Sequence, residues 1–254
     1  MPVGRYDRIA ALAALDAHEG PEPIQVAELG AGHGRTVRAL LAGAAEAGVP
    51  IRVHAIDTGS CLDDDVLHDE RVRSLIVPED QPLPFRDATL DRVISLNVLE
   101  HLPHPAGHLL ECHRVLRPGG LLVLAHSDWD TVLFASEDDA LTRLLIDRFV
   151  NDVPDGVRNA DGFMGRKLLG LADASPLEVI SVGAWADVHL RFDEDSVAWK
   201  VAMGVLAATR DDPRLAAAAA GWVEGLRRLA RQGRFLFTVT DVALVLRRPV
   251  PVDA

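Results

Sequence analysis

Only two cysteines, Cys61 and Cys112, occur in 254 residues, at no spacing that pairs them or builds a metal motif. That shortage excludes a disulfide-stapled secreted scaffold and a cysteine zinc site; both thiols read as reduced, in a cytoplasmic protein. Excess positive charge is lacking too, with 26 Lys and Arg against 38 Asp and Glu and a formal net charge of −12. Neither nucleic acid nor an anionic membrane is drawn to such a surface. The one local cationic cluster, Arg227, Arg228, Arg231 and Arg234, reads as a solvated helix face. No apolar run reaches the length of a membrane span. Met1 to Leu15 has neither the apolar core nor the cleavage site of a signal peptide. There is no internal repeat and no splitting linker, so a single domain over residues 1–254 is expected, its oligomeric state left open.

What is present begins with Glu28-Leu29-Gly30-Ala31-Gly32-His33-Gly34. The apolar run Ile24 to Ala27 before it reads as a buried strand. After it, Val37, Leu40, Leu41 and Ala44 recur at i, i+3, i+4 and i+7, the pattern of a helix over 35–47 with one buried face. A glycine turn between strand and helix lets a ligand approach the backbone and meet free helix N-terminal amides. A dinucleotide fingerprint needs G-x-G-x-x-G; here the third glycine comes one residue early. An acid beside the turn repels a diphosphate and attracts an ammonium or a sulfonium. The motif therefore favours S-adenosylmethionine over a nicotinamide or flavin, although a G-x-G alone is more often a tight connection than a ligand site.

Strand and helix signals alternate through the first half, predicting βαβ units in a mostly parallel sheet. Further strands are expected over 51–57, 72–77, 91–97 and, after the Pro118-Gly119-Gly120 turn, 121–125, with a helix over 105–116. The second half is less regular. Helices are expected over 137–150, 164–172, 196–208 and 215–231, a sixth strand over 177–182, and a closing β segment over 234–246 with a bend at Thr240-Asp241.

Four blocks carry a family resemblance: Val26 to Gly34; Asp57 ending the second strand; Leu83-Pro84-Phe85-Arg86-Asp87-Ala88-Thr89-Leu90-Asp91-Arg92-Val93; and Val98-Leu99-Glu100-His101-Leu102 through Arg114-Val115-Leu116-Arg117-Pro118-Gly119-Gly120. Over its first half the sequence resembles the class I S-adenosylmethionine-dependent methyltransferases, and within them the small-molecule methylases of ubiquinone and menaquinone biosynthesis. The resemblance implies an α/β fold with a Rossmann-like seven-stranded, mostly parallel sheet, helices on both faces and a small helical lid. It implies that Gly30, Ala31, Gly32 and Gly34 meet the methionine part of the cofactor and that Glu28 holds its ammonium. Asp57, with Thr58 beside it, is implied to take the ribose hydroxyls. Glu79 or Asp80 is implied to lie near the adenine amino group, and Asn97 at the methionine end. The alternative for Asp57 is a cap on the following helix.

Methyl transfer from a sulfonium is a direct displacement in which alignment alone supplies on the order of several kcal/mol, so a general base is optional. His101 is the first candidate base, because an imidazole titrates near neutrality; a structural histidine is the competing reading. Asp128, in the group His126, Asp128, Trp129 and Asp130 after the fifth strand, is expected to orient the acceptor, against the reading of a solvated turn. His101, His104 and His108 invite a metal, but no cysteine or carboxylate set completes a site. Acceptor-lid segments are expected at 1–20, 129–165 and 190–232, which suit a small organic acceptor. The rival function is a cofactor-binding protein that transfers no methyl group, a partner subunit or a rearrangement catalyst.

Overall fold

A computed structural model of the chain describes residues 4–17, 20–79, 81–152 and 161–251. Two compact units make it up: Met1–His126 with Lys167–Gly183 and Ala243–Ala254, and Ser127–Arg166 with Ala184–Val242. In chain order the strands are β1 (Ile24–Leu29), β2 (Ile51–Asp57), β3 (Val72–Ile76), β4 (Leu90–Leu96), β5 (Leu116–Phe134), β6 (Glu178–His189) and β7 (Phe237–Arg247). The helices are α1 (Arg5–Leu12), α2 (Arg35–Ala47), α3 (Asp64–Leu67), α4 (Pro105–Val115), α5 (Asp139–Val150), α6 (Met164–Asp173), α7 (Val197–Thr209) and α8 (Pro213–Arg231). The sheet is seven-stranded, mixed and mostly parallel, in the order β3-β2-β1-β4-β5-β7-β6. This is the Rossmann-like architecture expected from the sequence.

The first unit shows why these residues take these positions. β1, β2 and β4 have parallel neighbours on both sides and are buried almost throughout, whereas β3 at the margin is largely exposed. Strands covered on both faces read as mostly apolar runs, which Val26, Ala27, Val53, Ala55, Ile56, Val93 and Ile94 supply, interrupted by the buried polar residues Glu28, His54, Asp91 and Arg92. α2 buries Val37, Leu40, Leu41 and Ala44, and each large aliphatic side chain so buried contributes about 1.5–3 kcal/mol. It stops at Gly48, left-handed at φ 67°, whose amide returns to the carbonyls of Ala44 and Ala45. Chain order runs outward from β1 through β2 to β3, then restarts at β4 on the other side of β1. The reversal leaves the carboxyl ends of β1 and β4 side by side, the usual place for a ligand crevice in an open α/β sheet.

Two of the motif blocks turn out to hold the scaffold. Arg114 on α4 donates to Asp87 at 2.8 Å, to the carbonyls of Phe85 (2.8 Å) and Leu83 (3.1 Å), and to Glu111. Glu111 in turn accepts from the Leu83 amide at 2.7 Å, so the 83–89 loop is pinned along its length. Asp91, only 4% exposed, accepts from the Gln25 amide at 2.6 Å and pairs with Arg117 at 2.6 Å. Arg92 is also buried in the sheet; its Nε donates to the Ala13 carbonyl at 2.5 Å and its Nη2 to that of Ala14 at 3.2 Å. Ala14 is left-handed at φ 47°, just past the end of α1.

The fifth strand differs from expectation. It begins at Leu116, not Leu121: Leu116 pairs with Leu90 and Leu121 with Arg92, so residues 117–120 bulge opposite Asp91. A bulge is where a strand tolerates a proline, which has no amide to donate, and Gly119 takes the positive φ of 79° that it requires. β6 runs on to His189 and β7 continues through Thr240-Asp241 without the expected bend.

In the second unit Phe134 is the centre of an aromatic core, with edge contacts to Trp222 (5.0 Å) and Phe237 (4.8 Å). The Trp222 indole donates to Thr142 Oγ1 at 2.9 Å, so its polar tip is satisfied inside. Asp138, Ser196 and Asp212 cap α5, α7 and α8 with their side chains. Gly204 lets α7 meet Phe149: a Cβ there falls 2.5 Å from the ring.

Candidate functional site

The turn after β1 is a chain of left-handed glycines, Gly30 at φ 72°, Gly32 at 49° and Gly34 at 77°. They serve two different needs. A Cβ on Gly30 meets Val98 at 2.6 Å, and one on Gly34 meets Val66 at 2.9 Å, so both are close-packing positions. Around Gly32 nothing lies within 4 Å, so the backbone there faces open space. The corner is fastened from β2: the amides of Gly30 and Ala31 both donate to the Ile56 carbonyl, at 2.9 and 3.0 Å. The Gly32 amide donates to Asp57 Oδ2 at 2.8 Å, and the Thr58 amide to Asp57 Oδ1 at 2.7 Å. Thr58 Oγ1 adds a longer bond to Oδ1 at 3.4 Å, so Asp57 spends three acceptor sites on its own scaffold and keeps one on Oδ2 for a ligand, since a carboxylate offers about four. The expected grouping of Glu28, Gly30, Ala31, Gly32, Gly34, Asp57 and Thr58 is one contiguous corner.

Glu28 is 2% exposed, and its Oε2 is buried with no hydrogen-bond partner. Burial pushes its pKa up to about 8; a hydrogen bond from Thr36 opposes the rise and the nearby Asp57 charge adds to it. The group is therefore mostly protonated at neutral pH in the ligand-free protein, a departure from the plain negative charge assumed from sequence. A buried, unpaired acidic oxygen is costly, and a cation placed against it both pairs it and ionises it. Thr36, in the first turn of α2, gave no signal in the sequence.

At the end of β4, Asn97 is left-handed at φ 55° and its amide donates to the Ala125 carbonyl at 3.0 Å. Asparagine tolerates that conformation better than most residues. Next to it, Glu100 is 7% exposed and its Oε1 lies 3.4 Å from Nε2 of His101 and 3.8 Å from Nε2 of the fully buried His126. One acid therefore stands between two imidazoles, an arrangement invisible from the sequence although Glu100 lies within a quoted block. His101 keeps half its side chain exposed. Partial burial lowers its pKa, and the charge of Glu79 pulls the other way, which places Glu79 in the electrostatic reach of His101. Asp80 lies outside the described residues.

Asp128 belongs to the second unit, where it is 2% exposed and held by Arg166: Nε to Oδ2 at 2.8 Å, Nη2 to Oδ1 at 2.7 Å, and the Arg166 amide to Oδ2 at 3.0 Å. Gly165 makes this approach possible, since a Cβ there falls 2.9 Å from the Asp128 amide. His108 points its Nε2 to Ser95 Oγ at 3.1 Å. Among the described residues no group of three His, Cys, Asp or Glu side chains is placed to hold a metal ion, and no helix is long and apolar enough to cross a membrane.

Residues 27–124 match a family model described as a methyltransferase domain. A 37.1 kDa protein of transposon TN4556 from Streptomyces fradiae is 32% identical over 168 residues, 63% of this chain and 44% of that one. The ubiquinone biosynthesis O-methyltransferase of Colwellia psychrerythraea is 26% identical over 176 residues, 65% of each. The chain thus spans less than two thirds of either relative's own length. Among solved structures, the YcgJ protein of Bacillus subtilis aligns with a TM-score of 0.57 at 16% identity, covering 96% of this chain and 99% of that one. The [4+2]-cyclase SpnF aligns with a TM-score of 0.54 at 18% identity, covering 96% and 81%. At such identities the structural likeness speaks for the fold alone.

Proposed function

We propose that the chain, whose residues 27–124 match a methyltransferase-domain model, is a class I S-adenosylmethionine-dependent methyltransferase that methylates an O, N or C atom of a small organic acceptor. The corner at residues 28–34 carries this reading. It combines an approachable backbone at Gly32, a buried acid whose Oε2 lacks a partner, and a second carboxylate at the next strand end. Those features fit an ammonium-bearing nucleoside: Glu28 holds the ammonium and Asp57 the ribose hydroxyls, with Glu79 or Asp80 toward the adenine amino group and Asn97 at the methionine end. When bound, S-adenosylmethionine supplies an electrophilic methyl group on a positively charged sulfur.

The protein's task is then alignment and exclusion of water, which supply on the order of several kcal/mol without any proton transfer. Where the acceptor is a phenol or an ammonium, His101 takes its proton, with Glu100 holding the imidazole in orientation. The lowered pKa of His101 keeps it neutral, and so able to accept, at physiological pH. Asp128 serves as a positioning residue, fixing the segment around Trp129 and Asp130 through Arg166. The net charge of −12 suits a small acceptor better than a polyanion.

The test is transfer of labelled methyl from S-adenosylmethionine into a panel of phenols, amines and enols. Phenols lead the panel because of the likeness to an O-methyltransferase of ubiquinone biosynthesis. Label in one acceptor class is the expected outcome. Tight cofactor binding with no label in any acceptor overturns transfer and leaves the cofactor-holding alternative. Preferential binding of NAD overturns both.

A further inference from the structure

A second recessed site lies in the first unit, on the sheet surface under the 83–89 loop. The parallel register sets Ala27 beside His54 and His54 beside Arg73. Alternate residues of a strand share a face, so His54, Arg73 and Leu75 line one side, joined by Gln25 of β1. Phe85 and Arg86 close the cavity from the loop, Phe85 edge-on to the His54 ring at 5.0 Å. Its volume is about 270 Å³, room for a small organic molecule. The wall is preformed, because Arg114 pins the loop at Leu83, Phe85 and Asp87.

The lining is cationic in a chain that is acidic overall. Arg73 and Arg86 both face this cavity, and neither guanidinium has an ion-pair or hydrogen-bond partner among the described residues. No carboxylate is among the described lining residues. Unpaired arginines near a surface are ordinary by themselves; His54 is what distinguishes the place. It is 8% exposed, and its Nδ1 is buried with no partner. The Gln25 side chain is fixed by donating from Nε2 to the Pro23 carbonyl at 2.9 Å, which turns its Oε1 toward Nε2 of His54 at 3.2 Å. An amide oxygen can only accept, so the neutral ring carries its proton on Nε2 and Nδ1 is a bare lone pair. A buried lone pair on a ring that lines the same cavity as two unpaired guanidiniums asks for a ligand that brings negative oxygens and one proton.

We propose that this cavity binds a phosphate monoester or inorganic phosphate, with Arg73 and Arg86 on its oxygens and His54 Nδ1 taking a hydrogen bond from its remaining hydroxyl. Arginine forks match phosphate oxygens in pairs. With a second pKa near 6, a phosphomonoester carries the needed proton at mildly acidic pH, or His54 acquires it as the anion arrives. The proton count of the complex is the same either way. Burial and the charges of Arg73 and Arg52 lower the pKa of His54 in the ligand-free protein, so an anion here reverses a cationic field. Asp57, three residues further along β2, belongs to the cofactor corner, so the two sites do not share residues.

Titration with inorganic phosphate, glycerol 3-phosphate, sulfate and chloride at matched ionic strength, followed by the His54 imidazole resonances, tests this. Saturable shifts with phosphate or the ester, an upward move of the His54 titration, and an affinity lowered about tenfold in both Arg73→Gln and Arg86→Gln are expected. Tighter binding of the ester identifies an organic phosphate as the ligand, and equal binding identifies the free ion. Shifts no larger than those with chloride, unchanged binding in the arginine variants, or sulfate equalling phosphate overturns the proposal. Both arginines are exposed, so the variants fold and each result is readable.

Discussion

If Glu28 is protonated before the cofactor arrives and ionised afterwards, binding must release a proton. With a ligand-free pKa of about 8, about nine-tenths of the molecules carry that proton at pH 7 and about half at pH 8. An ammonium against Oε2 returns the carboxyl to its ionised form, so close to one proton leaves per cofactor bound at pH 6.5. Apparent affinity then rises about ninefold between pH 6 and 7 and about fivefold between pH 7 and 8. The ligand's own α-amine titrates near 8, so the clean window is pH 6–7. Calorimetry with the demethylated product in MES and in imidazole at pH 6.5 measures the release directly, as the difference in heat divided by the difference in buffer ionisation enthalpy. Glu28→Gln keeps the shape and removes the titration, so its heats become independent of buffer. A wild type that releases no proton, or a glutamine variant that releases as many, refutes the reasoning. The same group also acts on folding. Between pH 4.5 and 8 the native state holds a proton that the unfolded chain has lost, so stability of the ligand-free protein falls as pH rises through that window. The fall is on the order of several kcal/mol, and Glu28→Gln flattens it.

Three further outcomes are expected. Asp57→Ala removes the acceptor of the Gly32 and Thr58 amides as well as the proposed ribose contact, and lowers affinity for the demethylated product about 10–100-fold; unchanged affinity in calorimetry excludes Asp57 from the site. Gly204→Ala drives a methyl against Phe149 and destabilises by about 1–3 kcal/mol, despite a gain of about 1 kcal/mol in helix propensity, as urea unfolding would show. Cys61 is exposed while burial raises the Cys112 thiol well above its usual range, so an aromatic disulfide reagent titrates one thiol in the native protein and two in denaturant.

The first half of the fold was legible because its signals are local. The period of Val37, Leu40, Leu41 and Ala44 locates α2 at the observed bounds, and the apolar run 51–57 gives β2 likewise. Proline and glycine misled where tertiary pairing overrode them: Pro118-Gly119-Gly120 reads as a turn before a strand, yet β4 and β7 draw it into a bulge within β5. The glycine corner and Asp57 were legible as a motif. The protonation of Glu28 was not, because it depends on how much of the sheet covers the carboxyl. Nor was the placing of Glu100 between His101 and His126, which needs β4 and β5 side by side, or the grip of Arg166 on Asp128 across 38 positions of sequence.

Arg92 gives the N-terminal helix an obligation that reaches beyond its own packing. A guanidinium enclosed among apolar strands finds one of its three acceptors in the carbonyl of Asp91 and the other two in the carbonyls that trail α1. Clipping the chain ahead of Pro23 deprives that cation of them and strands it in an oily interior, at a cost of several kcal/mol. Trimming should therefore melt the sheet instead of yielding a shortened, opened catalyst, and a leash attached at this terminus must leave Ala13 and Ala14 undisturbed.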